Sequence, residues 1–165
     1  MQNERPARKV VVSRFIAHFA LLILNMPSTH TITRRVEFSE TDLAGIMHFS
    51  NFFRFMETAE HDFYRRLGLK LVTKNPDGSS IGWPRVSATC DYKRPVRFED
   101  EVDVVLKVAK KTDKAITYEF SFRKKGDADD AAHGAMTIVC CAFRQGQMQA
   151  TLIPKEFNDK IEVAQ

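Results

Sequence analysis

Apolar and polar positions follow two different periods along the chain from residue 31 onward. Ile32, Val36 and Phe38 alternate with polar residues, which predicts a first β-strand. Further on, apolar residues recur at helical spacing on one stripe. The members of this stripe are Phe52, Met56, Ala59, Phe63 and Leu67. The pattern therefore predicts a strand followed by a helix with a strongly apolar face.

The predicted helix is unusually rich in phenylalanine. The residues that widen its apolar stripe are Phe49, Phe53 and Phe55. We therefore expect the helix to be buried on most sides. Ser50 has a side chain suited to the N-cap, and Gly68 suits the position just after the last turn. These signals predict one long buried helix that ends near Leu67.

Four strand patterns follow a linker, LKLVTKNPDGSS, which contains the turn sequence Asn-Pro-Asp-Gly. Three of them alternate apolar and polar residues. Their apolar members are Val86, Ala88, Cys90 and Tyr92 in the first, Val102, Val104, Leu106 and Val108 in the second, and Ile116, Tyr118, Phe120 and Phe122 in the third. The fourth, AMTIVCCAF, is apolar on both faces and predicts a central strand. KKTDK and KGDADDAA are the expected hairpin connections.

A strand, a buried helix and four strands in a meander predict the fold class α+β. The apolar face of one antiparallel sheet of about five strands can wrap round a single hydrophobic helix. Such a small sheet leaves its edges and ends uncovered, so we expect a homo-oligomer, with dimer and tetramer both open.

Composition and charge narrow the function classes. The 165 residues suit one domain, with 44% hydrophobic and 28% charged residues. The net charge is +4, but residues 1–25 carry +3 of it and residues 26–165 only +1. The domain is therefore nearly neutral, and its charge gives no case for a nucleic-acid partner. The cysteines, Cys90, Cys140 and Cys141, lie in apolar runs without metal-ligand spacing, which favours buried free thiols, a cytoplasmic location and no metal site.

Residues 1–27 are interpreted as an N-terminal extension of a domain that spans residues 28–165. The extension has a basic start and the apolar run FIAHFALLIL, which His18 interrupts and which is shorter than the roughly 20 residues of a bilayer span. Three interpretations stay open: Met26 as the true start, a loosely attached helix, or an export or anchoring segment. We expect no stable membrane insertion, and we expect residues 1–25 to be dispensable.

Two segments carry a resemblance to a known family. ETDLAGIMHFSNFFRFMETAE contains an acid, a small-residue turn with glycine, an aromatic or histidine pair, Asn and an aromatic helix. YKRPVRFEDEVDV contains a strand followed by a Pro–aromatic–x–Asp turn. Together with the closing IPKEF, they resemble the 4-hydroxybenzoyl-CoA thioesterase-like branch of the hotdog acyl-CoA thioesterases over residues 31–157.

The resemblance implies the hotdog fold and an enzyme of the hydrolase class. Its expected reaction converts an acyl- or aroyl-CoA to the free acid and CoA, without a cofactor, because coenzyme A is part of the substrate. A non-catalytic acyl-CoA-binding or regulatory hotdog domain is the alternative, although such a domain would most simply lack the acid. A hotdog dehydratase or hydratase would need a different motif context. The length of the acyl group stays open.

Asp42 is the candidate catalytic residue. The leaving thiol of a thioester has a pKa near that of cysteine, about 8.5, so it departs without much help from an acid. One carboxylate can then attack the carbonyl or deprotonate water, while N–H groups at the start of the helix stabilise the oxyanion. Gly45 would let the thioester approach the backbone closely. An isolated Asp before a helix is usually a turn or cap residue, and only the flanking motif favours catalysis.

The same motif supplies further candidates. By resemblance, the backbone N–H near Phe49 is the expected oxyanion donor, and Ile46 and Met47 are expected to contact the substrate. His48 either helps the catalytic acid or makes turn hydrogen bonds. Asn51 is expected to orient the turn.

Glu57, two turns into the helix, is expected to face the site from the buried side or to lie at a protomer interface. Trp83 lies where relatives place the acyl channel, although a lone Trp is more often a core or interface residue. The remaining histidines of the domain are expected to be structural or exposed: His30, His61 and His133.

Basic side chains are needed for the phosphates of coenzyme A. The candidates on the KKTDK hairpin, where relatives place such groups, are Lys110, Lys111 and Lys114. Lys93 and Arg94 are the second candidates. A charged hairpin that is merely solvated is the alternative.

Overall fold

The computed structural model describes residues 28–165, and the extension predicted for residues 1–27 lies outside them. The strands are β1 (Thr29–Arg35), β2 (Thr73–Lys74), β3 (Ser80–Gly82), β4 (Arg85–Tyr92), β5 (Glu101–Lys111), β6 (Ala115–Lys124), β7 (Ala132–Val139), β8 (Cys141–Arg144) and β9 (Gln147–Ala150). The helices are a 3₁₀ turn (Phe38–Glu40), α1 (Phe49–Arg66) and α2 (Lys155–Lys160). In the described part of the chain, no helix has the length and apolar character that crossing a membrane requires.

The larger sheet has the order β1-β5-β6-β7-β4, and all neighbours are antiparallel. In β5 and β6 the apolar positions that alternate in sequence are buried, and facing pairs such as Leu106 and Phe120 bring them to one face. Helix α1 packs on that face. The predicted α+β hotdog architecture, an antiparallel sheet wrapped round one long buried helix, is confirmed.

Helix α1 buries the predicted stripe, since Phe52, Met56, Ala59 and Phe63 are all at most 4% exposed. The predicted N-cap, Ser50, is wrong. His48 is the N-cap, in extended backbone geometry, and its Nδ1 accepts a hydrogen bond from the Ser50 N–H at 3.4 Å. Ser50 cannot cap the helix because it already lies inside the first turn.

The first strand ends earlier than its alternation predicts. β1 stops at Arg35, and the Val36 N–H donates to the carbonyl of Asp100 at 2.9 Å, outside the β1–β5 ladder. The chain then enters the 3₁₀ turn, where Phe38 is 75% exposed and packs edge-on against Phe98. Phe38 is therefore a surface residue rather than a strand residue of the core.

The run AMTIVCCAF was predicted as one central strand, and this is wrong. β7 ends at Val139, before Cys140 and Cys141, which are adjacent and both buried. The Cys140 N–H donates to Lys114 O at 2.8 Å, so the chain leaves β7 there and continues as β8 in a second sheet. That sheet has the order β2-β3-β8-β9 and contains the hairpin at the predicted Asn-Pro-Asp-Gly turn.

Strand β4 lies at the edge of the larger sheet and pairs with β7. Its predicted apolar face is largely uncovered: Val86 is 63% exposed and Tyr92 is 46% exposed. The free edge is next to this face, so β4 presents both unpaired backbone groups and apolar side chains to the surroundings within the described structure.

Candidate active site

The loop before α1 is a tight turn closed by backbone hydrogen bonds. Thr41 and Met47 form an isolated bridge, and inside it the Asp42 N–H donates to Ile46 O at 2.9 Å. Gly45 has a φ of +70°, a conformation that glycine adopts without strain. A Cβ at this position would meet its nearest atom only at 3.9 Å, so conformation rather than space requires the glycine.

Three hydrogen bonds fix this loop against its surroundings. The buried Asn51 side chain donates from Nδ2 to Glu40 O at 2.7 Å, and the His48 N–H donates to the same carbonyl at 2.8 Å. The Met47 N–H donates to Val96 O at 2.7 Å. The acid-containing loop, the start of α1 and the segment after β4 are thereby held together, and Asn51 has the turn-orienting position predicted for it.

One cavity of about 370 Å³ lies where these segments meet. Its lining residues are Asp42, Ile46, Met47, Phe49, Phe52, Tyr92, Lys93, Arg94, Pro95 and Val96. They come from the two segments that carry the family resemblance. Three aromatic side chains face one carboxylate and two basic groups, so the cavity has both apolar and charged walls.

The Asp42 carboxylate is held in a defined orientation. Its Oδ1 accepts a hydrogen bond from the Ala44 N–H at 2.8 Å, which is the Asx-turn contact expected of an acid in such a loop. Among residues 28–165 its Oδ2 has no hydrogen-bond partner. The turn therefore orients the carboxylate and leaves one oxygen available at the cavity.

The backbone at the start of α1 supplies an unpaired donor. The Ser50 N–H donates a hydrogen bond to His48 Nδ1, and the Asn51 N–H donates one to His48 O at 2.9 Å. Phe49, the first helical residue, lines the cavity, and its N–H has no acceptor within the described residues. The helix start adds a partial positive charge of about half a unit, which favours an anion here.

His48 and Gly45 do not line the cavity. The imidazole Nδ1 of His48 lies 2.8 Å from Ser50 Oγ, and its ring packs on Phe49 at a centroid distance of 4.4 Å. The geometry matches the turn hydrogen bonding that was one of the two interpretations of His48.

The buried acid of α1 is Glu60. The expectation that Glu57 faces the site from the buried side is wrong, whereas its alternative, a position at a protomer interface, stays a prediction. The Glu57 side chain is 46% exposed and pairs with Arg85 at 3.0 Å, away from the cavity. Glu60 is fully buried; its Oε2 lies 2.6 Å from Arg85 Nη2, and its Oε1 has no partner within the described structure. Burial raises the pKa of Glu60 to about 7, against the opposing effect of Arg85. Helical phase explains the difference, because position 60 lies four residues after the buried Met56.

The hairpin lysines lie away from the cavity within one chain. Lys110 and Lys111 are at the far end of β5 from Glu101, about 30 Å along the strand at ~3.3 Å per residue. The Lys111 ammonium donates to Asn158 O at 3.0 Å and to Ile161 O, so it holds the C-terminal segment. Lys114 follows the same turn. The structure instead places the second candidates, Lys93 and Arg94, in the cavity wall.

Several lining residues were not identified from the sequence. Phe52 was assigned only to the core, and Tyr92 only to strand alternation. The available signal was the segment YKRPV, which begins at the last residue of β4 and belongs to the second motif. Trp83 is a core residue, since it is 7% exposed and its ring packs 4.7 Å from that of Phe157. In residues 28–165 no three His, Cys, Asp or Glu side chains are grouped to hold a metal ion.

Comparisons with known proteins identify the family and agree with the fold. The family model of the thioesterase-like superfamily matches residues 36–161. A curated protein of Aquifex aeolicus (strain VF5), provisionally named an esterase, is 31% identical over 123 residues, which cover 74% of this chain and 90% of the relative. A 1,4-dihydroxy-2-naphthoyl-CoA hydrolase of Prochlorococcus marinus (strain NATL2A) is 26% identical over 102 residues, which cover 58% of this chain and 66% of the relative. The solved structure of a gentisyl-coenzyme A thioesterase has a TM-score of 0.65 at 30% identity, over 78% of this chain and 98% of that one.

Proposed function

Because the chain belongs to the thioesterase-like superfamily, we propose that it hydrolyses the thioester of an acyl- or aroyl-CoA to a carboxylic acid and CoA. The observation that carries this proposal is that one cavity is lined both by Asp42 and by Phe49, the first residue of α1. A carboxylate and a helix start on opposite sides of a carbonyl can supply the nucleophilic and the electrophilic parts of the reaction.

The chemistry follows from these two groups. Asp42 Oδ2 either removes a proton from a water molecule that adds to the carbonyl carbon, or attacks that carbon to form an anhydride that water then cleaves. In both routes the carbonyl oxygen becomes an oxyanion, which the Phe49 N–H and the positive end of α1 stabilise. The C–S bond then breaks, and the thiolate of CoA takes up a proton from solvent.

The walls of the cavity suggest how the substrate is oriented. The aromatic side chains Phe49, Phe52 and Tyr92 suit an apolar acyl group, and aroyl groups stack well on such rings. The names of the relatives, which specify gentisyl and dihydroxynaphthoyl thioesters, support an aroyl group. Lys93 and Arg94 suit the phosphates of CoA. His48, Gly45 and Asn51 act on the reaction through the shape of the turn.

We also propose that the protein is a homo-oligomer. The free edge of β4 carries exposed apolar side chains, including Val86, and an edge of this kind is normally covered. In such an assembly Lys110, Lys111 and Lys114 would reach CoA only on a neighbouring protomer. Light scattering should give at least twice 18.9 kDa. A fully active monomer would contradict this. The free cysteines of the chain support a further proposal, that it works in a reducing compartment, the cytoplasm.

The substitution Asp42→Asn tests the reaction. It keeps the side-chain shape and the Ala44 contact but removes the basic oxygen, so kcat should fall by roughly 10²–10⁴-fold. Thermal melting and binding of a non-hydrolysable acyl-CoA thioether should be unchanged. The matched control is Asp77→Asn, because Asp77 Oδ1 accepts from the Ser79 N–H at 3.0 Å in a similar turn outside the cavity.

Each outcome of this experiment separates the two candidate functions. A folded Asp42→Asn protein that hydrolyses within tenfold of wild type would remove Asp42 from the mechanism. A wild-type protein that binds the thioether but hydrolyses no thioester would favour the alternative, a non-catalytic acyl-CoA-binding domain.

A further inference from the structure

We infer that Tyr92 determines which acyl groups the cavity accepts and holds the helix start in its working position, an inference that rests on the proposed thioester hydrolysis. Tyr92 is the last residue of β4 and lines the cavity together with Asp42 and Phe49. It is therefore the point at which the edge strand reaches the reaction site.

The ring of Tyr92 forms the outer end of an aromatic series that leads into the core. It packs edge-on against Phe52 at a centroid distance of 5.0 Å, and Phe52 packs edge-on against Phe122 at 5.1 Å. Phe122 is fully buried and Phe52 is 4% exposed, whereas Tyr92 is 46% exposed. The inner rings are thus fixed by the core, and they hold the Tyr92 ring as a wall at the open side of the cavity. A flat acyl group fits against such a wall better than a flexible chain does.

The hydroxyl of Tyr92 reaches the first residue of α1. It donates to Phe49 O at 3.3 Å, which links the end of β4 to the residue whose N–H is the proposed oxyanion donor. Tyr92 as a whole is half-exposed, so the contact is set by the geometry of the strand end and the helix start rather than by burial. Desolvation raises the pKa of Tyr92 above its ordinary value, so the hydroxyl stays protonated and remains a donor at neutral pH.

The backbone after Tyr92 makes this link rigid. The N–H groups of Lys93 and Arg94 both donate to Ala131 O, at 2.8 and 3.0 Å, just before β7 begins. The chain direction at the end of β4 is therefore fixed from the sheet side, and the Tyr92 hydroxyl fixes the helix side. The Phe49 peptide could move relative to Asp42 only if the hydrogen bond from Tyr92 or those to Ala131 O were broken.

Two substitutions separate the hydroxyl from the ring, with benzoyl-CoA and butyryl-CoA as substrates. Tyr92→Phe should lower kcat about fivefold for both substrates with KM unchanged within twofold, because one neutral hydrogen bond that acts only on positioning is lost. Tyr92→Leu should raise KM about tenfold for benzoyl-CoA and less than twofold for butyryl-CoA, because the aromatic wall is lost. Met148→Ala, which alters an exposed residue of β9 in the smaller sheet, should leave both substrates unaffected.

Melting temperatures within about 2 °C of wild type would show that these changes are not losses of folding. An unchanged kcat in Tyr92→Phe, or equal effects of Tyr92→Leu on both substrates, would overturn the inference. If wild type hydrolyses neither thioester, the proposed hydrolysis is wrong, but the role of Tyr92 in the cavity can still be tested. The test is then the affinity of Tyr92→Leu for a benzoyl-CoA thioether analogue, compared with that of wild type. Weaker binding supports the wall, and unchanged binding overturns it.

Discussion

Replacing the buried carboxylate of Glu60 should change the pH dependence of stability. Glu60 is a fully buried residue of α1, and among residues 28–165 only its Oε2 has a partner, Arg85 of β4. Burial raises its pKa from 4.5 to about 7; Arg85 lowers it and Glu57 adds to the rise. The desolvation of the carboxylate thus outweighs the attraction of the guanidinium, and the folded state favours the protonated acid.

The sign and size of the effect follow from this pKa. Between pH 4.5 and about 7 the folded protein binds more protons at Glu60 than the unfolded chain does, so the stability that Glu60 contributes is fully present below pH 4.5 and is lost as pH rises towards 7. The difference between the two pKa values corresponds to about 3 kcal/mol at ~1.4 kcal/mol per tenfold change in proton affinity. Three other titratable groups face this region: His61, Tyr64 and Tyr118. Burial lowers the pKa of His61, so its titration makes stability rise with pH, opposite to Glu60. Burial raises the pKa of both tyrosines, so they stay protonated across this range.

Glu60→Gln removes this titration while keeping the size of the side chain. Urea unfolding of wild type and variant should be measured from pH 4.5 to 8. Across this range the free energy of unfolding of wild type should fall by about 3 kcal/mol relative to that of the variant. Glu57→Gln is the matched control, because Glu57 pairs with the same Arg85 but is 46% exposed. Parallel pH profiles for wild type and Glu60→Gln would refute the reasoning.

Three further changes test the loop and the charged wall. Lys93→Ala combined with Arg94→Ala should raise KM for an acyl-CoA about tenfold and leave KM for the matching acyl-pantetheine unchanged. A variant with Ala at the three hairpin lysines serves as the comparison. Equal effects on both thioesters would exclude recognition of the phosphates by Lys93 and Arg94. Gly45→Ala should lower the free energy of unfolding by about 1–2 kcal/mol, measured in urea, because φ is +70° there; an unchanged value would mean that the turn has relaxed. Asn51→Ala leaves Glu40 O with one hydrogen bond fewer and should cost about 1–3 kcal/mol in the same assay, and a loss of kcat without a loss of stability would point to a direct role instead.

The larger sheet and the central helix could be predicted because their patterns are long. β5 and β6 alternate over most of their 11 and 10 residues, and the stripe of α1 continues through 18 residues. The smaller sheet could not be predicted in the same way, since β2 has two residues and β3 has three, too few to establish a period. The break at Cys140 depends on its bond to Lys114, a contact between distant positions that local sequence does not reveal.

The candidate site was predictable on one side only. Asp42 and the start of α1 are adjacent in sequence, so one motif contained both. The opposite wall, from Tyr92 to Val96, is brought next to them by the pairing of the sheet. The second motif located this wall, but the sequence suggested a role only for Lys93 and Arg94. Glu57 was named without reference to the helical phase. At about 100° per residue, Glu57 lies about 100° from the buried Met56, whereas Glu60 lies only about 40° from it.

The hydrogen bond between the Met47 N–H and Val96 O has a consequence for the kinetics of folding. It joins positions about 50 residues apart, and the cavity does not exist until it forms. Helix α1 and the β5–β6 hairpin depend on local contacts and can form early, whereas this loop closure requires strand β4 to be paired with β7. During refolding, recovery of hydrolysis should therefore lag behind the recovery of the helical circular dichroism signal. The length of that lag would measure how long β4 takes to pair with β7.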